Sequence, residues 1–202
     1  MITIVDYDCG NVNAIINAFK ELGINAKVSK SINDIDNASK LILPGVGSYD
    51  YAMKRLFKSG LIDSLNNSVL KKKIPILGIC VGMQILGNKS DEGKLPGLGW
   101  VDAEVSSFKD TNSIDILPHM GWNNIKIIKD NLLLSSIDEN SIFYFLHSYY
   151  FKSYNKENII AKCKYGLDFT CAINSDNIYG VQFHPEKSHS FGLKILQNFS
   201  KI

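Results

Sequence analysis

The sequence predicts an α/β chain, with a largely parallel central sheet flanked by helices on both faces and a β-rich C-terminal half. Three observations carry this reading. Up to about residue 80, short apolar runs alternate with stretches whose apolar residues recur every three or four positions, the β-α-β-α order of parallel sheets. After Asn88 the helical period gives way to short runs rich in β-branched and aromatic residues. The chain has 202 residues, 45% hydrophobic and 21% charged, which suits one sizeable soluble domain spanning residues 1–202. No repeat, low-complexity segment or linker divides it.

The elements follow in order. Ile2 to Tyr7 reads as a buried strand, broken at Asp8-Cys9-Gly10-Asn11. Val12, Ile15, Ile16, Phe19 and Leu22 then trace one face of a helix that Gly23 would cap. Ala26 to Val28 is a second strand, Ser31 to Ala38 a short helical segment, and Leu41 to Leu43 a third strand ended by Pro44-Gly45-Val46-Gly47. A helical region runs from about Ser48 to Lys72, interrupted at Gly60, with basic residues at its end that suit the helix dipole. Pro75 to Ile79 is the fourth strand. The loop Gly93 to Gly99 opens the second half. Strands are expected at Val101 to Phe108, Asn124 to Ile128, Ile142 to Phe145, Ile159 to Cys163, Phe169 to Ile173 and Ile178 to Phe183, before a last helix from about Phe191 to Phe199.

Composition excludes several classes of function. A formal net charge of +2 points to neither nucleic acid nor membrane surfaces. No apolar run approaches the roughly 20 residues that span a bilayer. Met1-Ile2-Thr3-Ile4-Val5 enters a strand directly, without the basic and apolar regions of a secretory signal. Cys9, Cys80, Cys163 and Cys171 form no C-x-x-C pair and no zinc spacing, so neither metal nor cofactor is expected and the thiols read as reduced, in a cytoplasmic protein.

The chemistry begins at Gly78-Ile79-Cys80-Val81-Gly82. A strand ends in a cysteine flanked two residues away by glycines, and an amphipathic stretch follows with Met83, Gln84, Ile85 and Leu86. This is a nucleophile-elbow pattern with Cys in the nucleophile position. The sharp turn strains the nucleophile's backbone, and the flanking glycines admit close chain approach. A helix N-terminus also favours a thiolate. From these five residues alone, a reactive nucleophile and an ordinary buried cysteine are both open readings.

The distal half offers a base. The strand Ile178 to Phe183 runs into His184-Pro185-Glu186. Thiol chemistry uses an imidazole that accepts and returns a proton, and the imidazole needs a third group to fix its orientation. Pro185 restricts the backbone between His184 and Glu186. In a parallel α/β sheet the active site lies beyond the C-terminal strand ends, where Cys80, the Pro44–Gly47 loop and the Asp8–Asn11 loop would meet.

Four motifs occur in this order: Pro44-Gly45-Val46-Gly47, Gly78 to Gln84, Pro118-His119-Met120-Gly121-Trp122-Asn123 and Phe183 to Ser188. Together they resemble the class I, triad-type glutamine amidotransferases, and within them the glutaminase subunits of imidazole glycerol phosphate synthase. The resemblance covers nearly the whole chain and implies their flavodoxin-like, Rossmann-like fold. It implies that Cys80 attacks the carboxamide of glutamine, that His184 transfers protons and that Glu186 orients it. Backbone N–H groups of Val81 and the Val46–Gly47 segment would hold the oxyanion, the latter through a peptide that its glycines let flip. Gln84 would contact the substrate, with the stretch His147-Ser148-Tyr149 on the other side of the pocket. Ammonia would pass to a (β/α)8-barrel synthase subunit in a heterodimer, with Gly10, Asn11, Trp122, Asn123 and Lys187 facing that partner. Read without the resemblance, Trp122 is a core aromatic and Lys187 a solvated charge.

Some segments depart from the pattern. Asp8-Cys9 occupies a loop where small residues are common, and Cys9, with no base after it, reads as structural. Gly99 to Glu104 and Lys187 to Gly192 look more like paralogues that feed ammonia to a sugar-modifying amidotransferase in surface-polysaccharide synthesis. Two further readings are a cysteine-peptidase-like hydrolase and a non-catalytic scaffold subunit. The first usually places its histidine directly after the cysteine, where this chain has Val81. Intact Cys80, His184 and Glu186 speak against the second.

Overall fold

The structure is a computed structural model that describes residues 1–110 and 116–202. Its first half runs β1 (Ile2–Val5), α1 (Val12–Glu21), β2 (Ala26–Ser29), α2 (Ile32–Asp36), β3 (Lys40–Leu43), α3 (Tyr49–Ser59), α4 (Ile62–Asn66), β4 (Ile76–Ile79) and α5 (Val81–Gln84). Local chemistry sets the boundaries. Asn11 caps α1 by accepting from the Ala14 N–H, and Gly23 follows with φ +67° as the Ile24 N–H returns to the Phe19 carbonyl at 2.9 Å. Gly60, left-handed at φ 72°, ends α3 and splits the long helical region.

The second half adds β5 (Lys89–Ser90), β6 (Ala103–Ser107), β7 (His119–Asn124), β8 (Lys126–Ile127), β9 (Ile142–His147), β10 (Tyr149–Ser153), β11 (Ile159–Tyr165), β12 (Leu167–Ser175), β13 (Ile178–Val181) and α6 (His189–Lys201). The main sheet has the order β2-β1-β3-β4-β13-β12-β10-β6-β5, with β11 also on β12 and β8 on β11. Neighbours are parallel from β2 through β13, and β12, β10 and β6 then pair antiparallel. Right-handed crossovers put α1 on one face and α2, α3 and α4 on the other, because the chain reverses its direction across the sheet once, at β2. Accordingly α1 packs with α6, while α2 packs with α4, and α3 with α4 and α5.

β4 is buried along its whole length between β3 and β13, as an apolar parallel strand should be. Behind the antiparallel half lies an aromatic layer in which Phe108, Phe143, Phe145, Phe151, Phe169 and Phe183 are fully buried. Each such side chain contributes about 1.5–3 kcal/mol by leaving water. A separate two-stranded ribbon, β7 against β9, pairs His119 with His147 and Trp122 with Tyr144.

Three sequence expectations change. The stretch after Cys80 is helical for one turn only, because Ile85 and Leu86 turn into a junction where a Cβ on Gly97 would lie 2.2 Å from the Gly87 carbonyl. His119–Asn124, read as a motif, is a strand. The last strand stops at Val181, and Gln182 and Phe183 continue off its end toward His184. Among the described residues, no helix is long and apolar enough to cross a membrane.

Candidate active site

Cys80 sits at the junction of β4 and α5 with φ 54° and ψ −114°, a conformation that costs a non-glycine residue energy. The surroundings enforce it. The Cys80 N–H donates to the Val181 carbonyl at 2.8 Å, and its own carbonyl accepts from the N–H groups of Met83 and Gln84. A Cβ on Gly82 would lie 1.9 Å from the Leu43 carbonyl oxygen, and one on Gly78 would lie 2.7 Å from the Gly82 oxygen. Both flanking glycines are therefore required by close approach. The thiol faces the Leu146 carbonyl at 3.9 Å and the Gln182 side-chain amide at 3.7 Å.

His184 is held from both ends. Its backbone N–H donates to the Tyr144 carbonyl at 2.9 Å, and its carbonyl accepts from the Ser188 hydroxyl at 2.6 Å. That hydroxyl also accepts from the Tyr144 N–H at 3.0 Å, which ties the His184 turn to β9. The His184 Nδ1–H donates to Glu186 Oε1 at 2.8 Å, with the two side chains 5% and 2% exposed. Burial disfavours the charged imidazole, but the Cys80 sulfur and the Glu186 carboxylate outweigh it and raise the His184 pKa from 6.5 to about 10. Glu186 Oε2 is buried without a hydrogen-bond partner.

Cys80 and His184 border a cavity of about 400 Å³, with Glu186 behind His184. Its wall brings together the candidate site residues Val46, Gly47, Cys80, Val81, His147, Ser148, Tyr149 and His184 with Lys187, expected at a partner face, and with Glu92, Lys109, Pro118 and Leu146. The loop before α3 is pinned from beneath. The Tyr7 hydroxyl donates to the Pro44 carbonyl at 2.5 Å, and the Cys9 thiol donates to the Val46 carbonyl at 3.3 Å. Burial raises the Cys9 pKa, which suits its structural reading. Glu92 Oε2 accepts the Tyr49 N–H at the start of α3 at 2.7 Å, and burial raises its pKa despite that bond.

Gln84 behaves differently from the expectation. It is 2% exposed and lies behind the cavity wall. Its Nε2 donates to the Tyr149 carbonyl and to Gln182 Oε1, each at 3.1 Å. The same Tyr149 carbonyl accepts from His147 Nδ1 at 2.8 Å, and His147 Nε2 meets His119 Nδ1 at 3.0 Å. Burial lowers the His147 pKa to about 3 and the His119 pKa to about 4, so this pair is neutral. Sequence reasoning missed Gln182, Glu92 and Lys109, and it named His119 and His147 without pairing them. Gln182 left a signal, being a polar residue inside an apolar strand run directly before His184. Glu92 left none, since it follows Asp91 in a polar loop.

The profile of the family described as glutamine amidotransferase class-I matches residues 3–202. The chain belongs to that family. It is 48% identical over 204 residues to the imidazole glycerol phosphate synthase subunit HisH of Bdellovibrio bacteriovorus, covering all of both chains. It is 50% identical over 201 residues to the imidazole glycerol phosphate synthase subunit HisH 2 of Methanococcus maripaludis, covering 100% of this chain and 99% of the relative. A solved structure described as a glutamine amidotransferase superposes with a TM-score of 0.76 at 19% identity, covering 98% of each chain, which is a likeness of fold.

In this amidotransferase the residues expected to face a partner divide into two groups. Trp122 is 44% exposed, which excludes the core reading, and its ring stacks on His189 at 5.0 Å and 4°. Lys187 places Nζ 5.4 Å from the centre of the Tyr144 ring. With exposed Met120, Ile142 and Leu146 they form an apolar outer face on the β7–β9 ribbon, beside the cavity that Leu146 lines. Asn123 lies on the other side of the ribbon, where its amide donates to the Lys164 carbonyl at 3.0 Å. Asn11 is exposed at the start of α1, and Gly10 packs so closely on Pro44 that a Cβ would lie 2.6 Å from that ring.

Proposed function

We propose that the chain is the glutaminase subunit of imidazole glycerol phosphate synthase, hydrolysing glutamine to glutamate and ammonia for imidazole formation in histidine biosynthesis. The observation that carries the chemistry is the convergence of Cys80, a buried His184–Glu186 pair and the Val46–Gly47 loop on one cavity. In this reading the Cys80 sulfur attacks the carboxamide carbon, forming a C–S bond as the carbonyl electron pair moves to oxygen. The N–H of Val81 and a donor from the Val46–Gly47 segment receive that charge, each worth about 3–4 kcal/mol by analogy with comparable sites. His184, cationic at neutral pH, gives its proton to the departing ammonia. The neutral imidazole then takes a proton from water as it attacks the thioester, and glutamate leaves. Glu92 and Lys109 on the cavity wall complement the ammonium and carboxylate of an α-amino acid.

Ammonia then passes to a (β/α)8-barrel synthase subunit docked on the Trp122–Lys187 face. Support for such a partner comes from the exposed apolar ribbon beside the cavity mouth and from the names of the relatives. Those names favour an imidazole-forming partner over a sugar-modifying one. The test is a complex of this chain with the barrel subunit, assayed for synthase product with glutamine and with ammonium salt. Cys80→Ala should abolish the glutamine-driven reaction and leave the ammonium-driven one intact. Glutamine turnover surviving Cys80→Ala would end the reading, and a chain that binds no barrel subunit would leave only its glutaminase half.

A further inference from the structure

Gln182 is fully buried, one residue past the end of β13 and two before His184. Its side chain lies between Gln84 and the nucleophile, 3.1 Å from the first and 3.7 Å from the Cys80 sulfur. Which end of an amide is nitrogen follows from its partners. The Tyr149 carbonyl can only accept, so the Gln84 atom 3.1 Å from it is nitrogen. That nitrogen also lies 3.1 Å from Gln182, so the Gln182 atom is oxygen. The opposite end, the one facing sulfur, is therefore the NH2 group.

The same carbonyl anchors a second chain. His147 Nδ1 must donate to it, which leaves His147 Nε2 as an acceptor and makes His119 Nδ1 a donor. Gln84, Gln182, His147 and His119 are thus all oriented from one backbone oxygen, and this leaves Gln182 with its donor pointed at Cys80.

We propose that Gln182 is a catalytic residue whose side-chain N–H stabilises negative charge on the Cys80 sulfur. A neutral thiol donates to the Leu146 carbonyl, whereas a thiolate accepts from Gln182 on one side and from His184 on another. The donor acts when the free thiolate forms, and again when the C–S bond of the second tetrahedral adduct breaks and its electron pair returns to sulfur. Gln182 transfers no proton, and that task stays with His184. The inference rests on Cys80 being the nucleophile.

The experiment compares Gln182→Met, which keeps length without a donor, with Gln182→Glu, which keeps shape but presents an acceptor, and with Gln182→Asn, which withdraws the donor. Alkylation of Cys80 by iodoacetamide is followed against pH in the full chain, with Cys80→Ala as background for the three other, buried cysteines. Glutaminase kcat and KM are measured in the complex with the barrel subunit, and circular dichroism reports folding. The pH of half-maximal alkylation should rise by about one unit, and kcat should fall about 10- to 100-fold, the usual worth of a hydrogen bond to a charged group. KM should stay within about threefold, since Gln182 faces sulfur, whereas a purely structural role would lower the folded fraction and leave the pH profile of active sites unmoved. An alkylation profile and kcat like those of the unsubstituted chain, in whichever variant folds, would overturn the inference. Glutaminase activity in Cys80→Ala would instead overturn the nucleophile assignment on which it rests.

Discussion

Gly82→Ala tests how the fold sets the nucleophile. Its Cβ would lie 1.9 Å from the Leu43 carbonyl oxygen, whereas real Cβ atoms essentially never approach closer than 3.0 Å, so β3 and α5 must separate by about 1.1 Å. Neither side yields easily. The Leu43 oxygen is backbone in a strand paired on both edges, and Cys80 is tied to Val181 by the 2.8 Å bond from its N–H. The displacement therefore falls on α5, carrying the Val81 N–H away from the Val46–Gly47 loop. A misplacement of about 1 Å costs on the order of 100-fold in rate. Overpacking should add about 1–3 kcal/mol of destabilisation, or a Tm lower by about 2–12 °C for a chain of this size. Glutaminase kcat/KM and thermal unfolding are measured together. Gly23→Ala is the control, carrying backbone strain that Gly82 does not have, at φ +67°, but with nothing within 4 Å of the new Cβ and no contact with the site. It should lower Tm and leave kcat/KM unchanged. A folded Gly82→Ala enzyme within threefold of full activity would refute the claim that close approach at β3 positions the nucleophile.

Other outcomes follow from the same geometry. Glu186→Gln removes the carboxylate beside Nδ1 of His184 and should lower kcat by about 10²- to 10⁴-fold, with the high-pH limb of the rate profile moving to lower pH. The His184 pKa is raised in the fold, so the stability this group contributes is full below pH 6.5 and is lost as pH rises toward about 10; in alkaline unfolding curves that segment should shrink in Glu186→Gln and keep the part that the Cys80 sulfur supplies. His147 and His119 are shifted the opposite way, so their contribution is full above pH 6.5 and falls as pH drops toward about 4 and then 3. Each steepens acid destabilisation by up to about 1.4 kcal/mol per pH unit, and His119→Phe should flatten the curve measured by urea unfolding between pH 6.5 and 4.5. Trp122→Ala should weaken binding of the barrel subunit by about 2 kcal/mol or more in calorimetry, while Cys80 alkylation in the free chain stays unchanged.

The proposed triad was legible because such chemistry leaves marks in sequence. Glycines on either side of Cys80 record a steric demand, and Pro185 between His184 and Glu186 records a fixed turn. The parallel half was legible for a similar reason, since apolar runs alternating with helical periods admit few other arrangements. The β7–β9 ribbon was not. His119, Gly121 and Asn123 alternate with Met120 and Trp122, but a buried histidine, a glycine and an exposed tryptophan obscure the usual inside–outside signal. Only pairing with β9 gives it meaning. Gln84 was misdirected by its place one turn past the nucleophile, which predicts proximity but not which way an amide points. That direction comes from Tyr149, 65 residues later.

The distance in sequence between the proposed nucleophile and base, Cys80 and His184, disappears through one strand pairing. β4 and β13 are parallel neighbours in register, Gly78 opposite Gly180 and Ile79 opposite Val181. Continued by one residue, that register sets Gln182 beside Cys80, and the bond from the Cys80 N–H to the Val181 carbonyl fixes the offset. The backbone bends at Gln182 and Phe183, and through that bend both the Gln182 amide and the His184 imidazole reach the sulfur, while Phe183 between them stacks on Phe143 at 4.1 Å. A slip of one residue in the β4–β13 register would carry Phe183 into the place opposite Cys80 that Gln182 holds. The buried ring of Phe183 thus guards the register as well as filling the core. The donor and the base reach Cys80 as consequences of a single alignment, which is why a polar Gln182 can persist in an otherwise apolar strand end.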